Sequence, residues 1–484
     1  MKKFVIIFFV FSISAFSQIP RDETEYRKFS EAAYNFDFVK AQEIAADLQK
    51  RFPISPLGYH AISQLDVWFY LGSRDENLLR KFFTNSDKTL ELFDNADNEN
   101  PYYLFRRGEE YSFRAIMYAF DFEKMSAFWA ARNAISDFED AIDLNPKFYD
   151  AYSGTAVFSY FLSFVPSFLK VGLSIIGINA DVNTSIRNFK LAYEKGTFAR
   201  TEAAFQLSKI YSDYYFDIDS SNYFLLPLIE KYPNNIFFKY QLGINYIRAK
   251  QFDKAEKVLL SVVKYDDENF SQIIAFSYFL LGEMKFHLND FASAIKYFEK
   301  YSQFTRSINF MGYVNYKCGI AYYMLGEETK ARECLLMAQY GNGDNWKDKL
   351  AYERSKEILS KGFSAFDKNL VYAKNNLRTG KYSGALKYCK KIENKTTEVK
   401  FICAESLIEL KRLNKAKKVL NDLSVQIRND ESDEYLKLLY LKALNSFYLN
   451  NKSEAKKYLN ELFSIDDKNN EFFAKARALK RKCN

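Results

Sequence analysis

Apolar side chains along this chain recur at intervals of three and four and almost never alternate. That interval is the period of a helix face, whereas alternation would mark strands. The pattern is sharpest in the second half. There a small residue is followed twelve positions later by alanine six times: Gly243/Ala255, Gly282/Ala294, Gly319/Ala331, Ala373/Ala385, Ala404/Ala416 and Ala443/Ala455. Each pair brackets a short, mostly polar turn, such as Gln251-Phe252-Asp253 or Leu288-Asn289-Asp290. The arrangement predicts two helices folded back on each other, with the small residue at the crossing, because axes about 8–10 Å apart leave no room there for a large side chain. Tyr246 and Tyr322 stand three residues after the glycine, and Leu259, Phe298 and Leu335 four after the alanine, so each set shares one helix face.

The interval between successive units runs from 31 to 39 residues, except that Gly319 to Ala373 spans 54. Gly341-Asn342-Gly343-Asp344 breaks the chain in that gap, and residues 346–361 read as an added helix. Upstream the spacing is looser. Ala41, Leu48 and Pro53 fit a second helix and the proline that ends it, as do Ala134, Phe138, Ala141 and Pro146.

This spacing is similar to the signature of tetratricopeptide repeats, and the fold it implies is all-α, a superhelix of antiparallel helix pairs. The signature positions are Gly243, Tyr246, Ala255, Gly282, Ala294, Gly319, Tyr322, Ala331, Ala385, Ala416 and Ala455. A second resemblance covers roughly residues 105–300. It is carried by Phe161-Leu162 through Val165-Pro166, a Gly177-Ile178-Asn179-Ala180-Asp181 turn, Leu226-Pro227-Leu228, and Lys231-Tyr232-Pro233-Asn234-Asn235-Ile236-Phe237-Phe238. That order resembles the eukaryotic inclusion-body clearance family and its animal tetratricopeptide relatives. The resemblance implies a fold and no catalytic residues. The expected organisation is a leader at 1–17, an irregular repeat region at 18–234, a regular block at 235–340, a boundary with an extra helix at 341–365, and a basic repeat block at 366–484.

The leader changes the setting. Lys2 and Lys3 precede an apolar run from Phe4 to Phe11, and Ala15-Phe16-Ser17 offers small residues at a cleavage site, so the mature chain would begin near Gln18. The first cysteine is Cys318, which disfavours a lipid-anchored form. The expected location is the periplasm or outer-membrane surface of a Gram-negative bacterium. A second apolar run, residues 156–178, is interrupted at Pro166 and Gly172 too early for either half to span a bilayer. It reads as a pair of buried helices, with a membrane-embedded hairpin as the alternative.

Composition fits this picture: 18% aromatic residues with only 17 Gly and 8 Pro suit helices packed by bulky side chains. The formal charge is +8, and it is concentrated in residues 381–484, where 23 Lys/Arg face 14 Asp/Glu. Such a face is either plain solvated surface or a dock for an anionic partner. No nucleic-acid motif accompanies it. The five cysteines form no C-x-x-C. Cys318/Cys334 and Cys389/Cys403 are either facing pairs or buried small apolar residues.

Little points to catalysis. The two histidines, His60 and His287, have no neighbouring Cys or His at metal-ligand spacing. His287 is expected at a surface or helix end. No phosphate loop, dinucleotide fingerprint or nucleophile elbow occurs. The aromatic crowding from Tyr102 to Trp129 reads as core, with a sugar- or lipid-binding groove as the alternative. The expected function is thus a non-enzymatic scaffold without cofactor or metal. Its concave face, lined by first helices, would hold an extended peptide or partner helix. Candidate groove residues are Asn245, Arg248, Lys285, Asn315 and Lys374. The alternative is an envelope protein that binds lipid or glycan.

Overall fold

A computed structural model describes residues 19–97, 99–164, 181–427, 432–468 and 470–483. Among them every regular element is helical. The leader at 1–17 and residues 165–178 of the 156–178 apolar run lie outside the described residues. No described helix is long and apolar enough to cross a membrane.

The chain divides into two compact units. Of the described residues, the first groups 19–67, 79–97, 99–161 and 181–200. Its helices are α1 (Arg21–Tyr34), α2 (Phe38–Arg51), α3 (Leu57–Ser73), α4 (Glu76–Asp94), α5 (Pro101–Phe120), α6 (Lys124–Leu144), α7 (Ala151–Leu162) and α8 (Val182–Lys195); residues 68–78, at the α3–α4 junction, group with the second unit. The second unit carries the regular pairs α9 (Arg200–Asp213) and α10 (Ile218–Lys231), α11 (Ile236–Arg248) and α12 (Phe252–Val262), α13 (Ser271–His287) and α14 (Phe291–Phe304), and α15 (Met311–Leu325) and α16 (Glu328–Met337). The added helix α17 (Trp346–Lys361) follows. Then come α18 (Ala365–Arg378) and α19 (Tyr382–Lys390), α20 (Thr397–Glu409) and α21 (Leu413–Gln426), α22 (Asp433–Tyr448) and α23 (Lys452–Ile465), and the terminal α24 (Glu471–Cys483).

One local device turns the chain inside the pairs. The first helix ends in a single left-handed residue: Phe36, Phe122, Phe216, Lys250, Asn289, Gly326, Gly380, Lys411 and Asn450 all have positive φ. The next N–H then returns to a carbonyl five residues back, as in Gln251 N to Tyr246 O at 2.8 Å and Asp290 N to Lys285 O at 2.9 Å. This closure satisfies carbonyls the helix would otherwise leave open. The residue after the left-handed one caps the next helix, and at Asp37, Asp290 and Asn451 its side chain accepts a backbone N–H. Phe36 and Phe122 place the same turn in the first unit, where the sequence spacing was least regular.

The small residues explain themselves at the crossings. A Cβ on Gly282 would stand 2.6 Å from the ring of Phe298, and one on Gly243 would stand 2.6 Å from Leu259. Ala294, Phe298, Ala331, Leu335, Ala385, Ala416 and Ala455 are all buried beneath. Gly282→Ala is therefore expected to cost about 1–3 kcal/mol by overpacking. Gly343→Ala, where a Cβ meets nothing within 4 Å, supplies the neutral control. Urea midpoints of the two variants check this, and equal midpoints would remove the close-approach argument.

In the sequence the division between units falls near residue 200. The added helix is present, but it is tied into the repeats on its N-terminal side. The Asp348 carboxylate accepts backbone N–H groups of Phe310 (2.9 Å), Tyr313 (2.8 Å) and Asn342 (3.1 Å). The carboxylate thus joins α17 to the start of α15, and packing continues through the gap.

Candidate functional site

First helices of the second unit turn much of their polar chemistry on the chain itself. Glu283 of α13 accepts the Tyr313 hydroxyl at 3.0 Å, and Lys317 Nζ stands 3.1 Å from its other oxygen. His287, one turn on, holds its Nε2 3.9 Å from Glu283 and its Nδ1 3.0 Å from Asn375 Oδ1. The Asn375 amide donates to Phe286 O and Asn289 Oδ1, both at 2.8 Å. Asn375 lies on α18, so a buried asparagine clamps two helix pairs separated by nearly ninety residues of sequence.

Further ties follow the same sense. Lys250 Nζ donates to Tyr382 Oη at 2.8 Å. Arg378 reaches Glu471 at 3.6 Å, and Lys475 pairs with the same carboxylate at 2.6 Å. Arg477 of α24 donates to Tyr214 O at 3.2 Å and covers that ring, while Arg481 lies 3.5 Å from Asp217. The last helix of this unit therefore returns to the end of its first, and the superhelix closes on itself.

Electrostatics follow from this crowding. Burial alone would raise the Glu283 carboxyl, but Lys317, His287 and Lys347 outweigh it and hold it down at about 2. Burial and the Lys317 ammonium push His287 down to about 4. The Glu471 carboxyl is also held at about 2, with Lys475 and Arg378 overcoming the effect of burial. Lys437 of α22 is lowered by burial, and the nearby cations Arg378 and Lys374 lower it further against Glu405 and Glu398.

The five expected groove residues do not share one environment. Asn245 is buried, and its amide donates to Ser221 Oγ and Asn222 Oδ1, both at 2.8 Å, so it is a core tie and not a groove residue. Arg248 pairs with Asp213 at 2.5 Å and Lys285 with Glu256 at 2.8 Å; both are half-buried. Asn315 is half-buried on α15. Lys374 is half-exposed and pairs with Glu398 of α20 at 2.6 Å. The sequence reading missed Glu283, Lys317, Asn375, Arg378 and Glu471. All but the last lie within five residues of a small crossing position, which was the available signal. His287 does end its helix as expected, but the Asn375 contact leaves only a quarter of its side chain exposed.

The first unit holds a second polar cluster. Arg106 of α5 forms a buried ion pair with Glu23 of α1 and reaches Glu109 at 2.6 Å. His60 of α3 is buried, with Nδ1 2.7 Å from Glu110 and Nε2 3.4 Å from Glu109. Tyr26 and Phe113 stack on its two sides at 5.4 and 5.5 Å. Burial would lower the imidazole, but hydrogen bonds to Glu109 and Glu110 prevail and raise it. Beside it, Asp22 accepts the hydroxyls of Ser55 (2.7 Å) and Tyr103 (2.8 Å). No group of three or more His, Cys, Asp or Glu among the described residues is arranged to hold a metal ion. All five cysteines carry free thiols, with Cys318, Cys389 and Cys483 buried.

The aromatic crowding also divides. Phe105 is core and Tyr102 packs against it. Phe122, Met125 and Trp129, around the α5–α6 turn, are exposed by 85%, 66% and 55%.

These features define an all-α protein of repeated helix pairs, one of which has the tetratricopeptide form. The family model for the tetratricopeptide repeat matches residues 277–304, which span α13, its turn and α14. Solved structures align with this chain at low identity. The tetratricopeptide domain of P58(IPK) is 13% identical over 76% of this chain and 98% of its own, with a TM-score of 0.22. The apo quorum sensor NprR from B. thuringiensis is 12% identical over 92% and 98%, with a TM-score of 0.32. Human IFIT1, solved as a dimer with m7Gppp-AAAA, is 12% identical over 92% and 95%, with a TM-score of 0.33. Among curated proteins none matches the chain by sequence.

Proposed function

We infer that the chain is an exported, non-enzymatic scaffold that holds an acidic segment of a protein partner in the cell envelope. The observation that supports this is the set of cations beside the clamp. Lys374 and Arg378 of α18 keep 44% and 61% of their side chains exposed. Lys437 of α22 adds a third charge, sitting 4.9 Å over the Phe401 ring. Such a set suits carboxylates presented by an extended chain. Export rests on the Lys2-Lys3 and Phe4–Phe11 leader with its Ala15-Phe16-Ser17 site.

Crosslinking in intact cells followed by capture tests the reading. The wild-type chain should recover a protein partner, and Lys374→Glu/Arg378→Glu should recover about tenfold less of it. Recovery of no protein above background, or equal recovery by the variant, would sink the scaffold reading. Sequencing the N-terminus of the chain from the periplasmic fraction should start at Gln18; a start at Met1 in the cytoplasm would overturn the location. The lipid- or glycan-binding alternative rests on the 156–178 run or on the basic C-terminal face, and a mature chain that stays soluble without detergent would remove its membrane-inserted form.

A further inference from the structure

We propose that an open groove in the first unit, distinct from the cationic face above, docks a basic amphipathic segment of a partner protein. The groove lies between α4, α5 and α6 and has a volume of about 580 Å³. One wall is acidic: Asp87, Glu91 and Asp94 stand at i, i+4 and i+7 on α4, which puts them on one helix face. They span about 10 Å along the axis at 1.5 Å per residue. The opposite side is aromatic, with Tyr111 and Tyr118 from α5 and Trp129 from α6.

Arg114 is the single cation among the lining residues, and it is committed. It pairs with Asp87 at 2.6 Å and donates to the Tyr118 hydroxyl at 2.8 Å. Glu91 meets Lys88 of its own helix at 2.9 Å, an exposed pair of little strength. Glu91 and Asp94 are both exposed and can be reached by an incoming charge, with Lys88 pairing the first and Arg107 acting on the second.

The apolar side continues past the groove. Trp129 belongs to both the groove and the exposed surface, and Phe128 meets its ring edge-on at 5.4 Å. Met125 lies four residues before Trp129 on the same face of α6, and Phe122 occupies the left-handed turn position just ahead, 85% exposed. A side chain in that position needs only to be tolerated by the backbone, so a bare phenyl ring there is not required by the turn. Rings and a thioether beside carboxylates fit a segment that carries apolar residues on one face and Lys or Arg on the next. The same carboxylates turn away an anionic bilayer surface and an acidic peptide.

The test uses a labelled 15-residue helical peptide of Leu and Lys, a matching peptide with Glu in place of Lys, and the full chain. Fluorescence anisotropy should show binding of the Leu/Lys peptide that weakens as salt is added, and none of the Leu/Glu peptide. Glu91→Lys/Asp94→Lys and, separately, Phe122→Ser/Met125→Ser should each weaken binding by about tenfold or more. All four positions are exposed, so both variants should keep the wild-type circular dichroism. Wild-type affinity in both variants, or equal binding of the Leu/Glu peptide, would overturn the proposal. So would co-sedimentation with phosphatidylcholine/phosphatidylglycerol vesicles that is lost in Phe122→Ser/Met125→Ser, because that assigns the rings to a lipid surface.

Discussion

Arg106→Leu is expected to destabilise the first unit by about 3–5 kcal/mol, enough to unfold it under conditions where the wild type is folded. The reason is the asymmetry of buried charge. Arg106 is buried against Glu23 and Glu109, and it also covers the Tyr26 ring at 4.3 Å. Glu23 is itself fully buried, with its carboxyl raised by burial even beside the guanidinium. Removing the cation leaves the carboxylate without a counter-charge, and that unpaired group carries the cost. Arg106→Leu/Glu23→Gln should recover a large part of the loss, because the double variant leaves no bare charge at that contact. Urea denaturation, with amide exchange of α1 and α5 peptides to locate the effect, checks both variants. A single variant as stable as wild type, or a double variant no better than the single, would contradict the pairing.

Acidification should weaken the second unit by up to about 3 kcal/mol through His287. Its folded-state value of about 4 lies below the ordinary imidazole value of 6.5, so the unfolded chain binds the proton more tightly. Stability is then highest above pH 6.5 and falls as pH drops from there toward 4. The side chain is a quarter exposed, so solvent screening makes this figure an upper bound. The groups facing His287 are Glu283, Lys317, Asn375 and Arg378, and only Glu283 among them titrates lower still. With a folded value of about 2, Glu283 keeps its contribution above its ordinary 4.5 and loses it as pH falls further. The first unit has the opposite sign. His60 is raised, so its contribution is present below 6.5 and is lost as pH climbs through the folded value. Amide exchange, corrected for intrinsic rates, should show α13 and α18 opening first toward pH 4. In His287→Gln the slope between pH 6.5 and 4 should flatten. An unchanged slope in that variant would assign the acid sensitivity elsewhere.

The helix pairs were legible because their crossings demand small residues. Gly282 under Phe298 and Gly243 under Leu259 leave a mark that spacing alone reveals. The left-handed turns were less visible, since Phe36, Phe122 and Lys250 occupy them where glycine would have signalled the conformation. The inner surface was the least legible part. Repeat logic places polar residues of first helices in an open groove, and so Asn245 and Lys374 looked alike. What separates them is long-range winding: Asn375 meets Phe286 and Arg378 meets Glu471 only because the superhelix turns back on itself. No local spacing encodes an encounter between residues nearly ninety positions apart. The acidic groove of the first unit was hidden for a similar reason. The stretch from Tyr102 to Trp129 has one helical period but two fates, core at Phe105 and surface at Phe122 and Trp129.

The closure of the second unit is the central claim, because it decides which polar residues are free to meet a partner. It is tested most directly by the distance between the α11–α12 and α18–α19 turns, which the 2.8 Å hydrogen bond from Lys250 Nζ to Tyr382 Oη links. Spin labels placed at the neighbouring exposed positions Gln251 and Lys381 through non-natural amino acids spare both the contact and the native cysteines. Pulsed electron double resonance on the full chain should give one narrow distribution at the short end of the measurable range. A broad or long distribution would mean an open superhelix and would contradict the account.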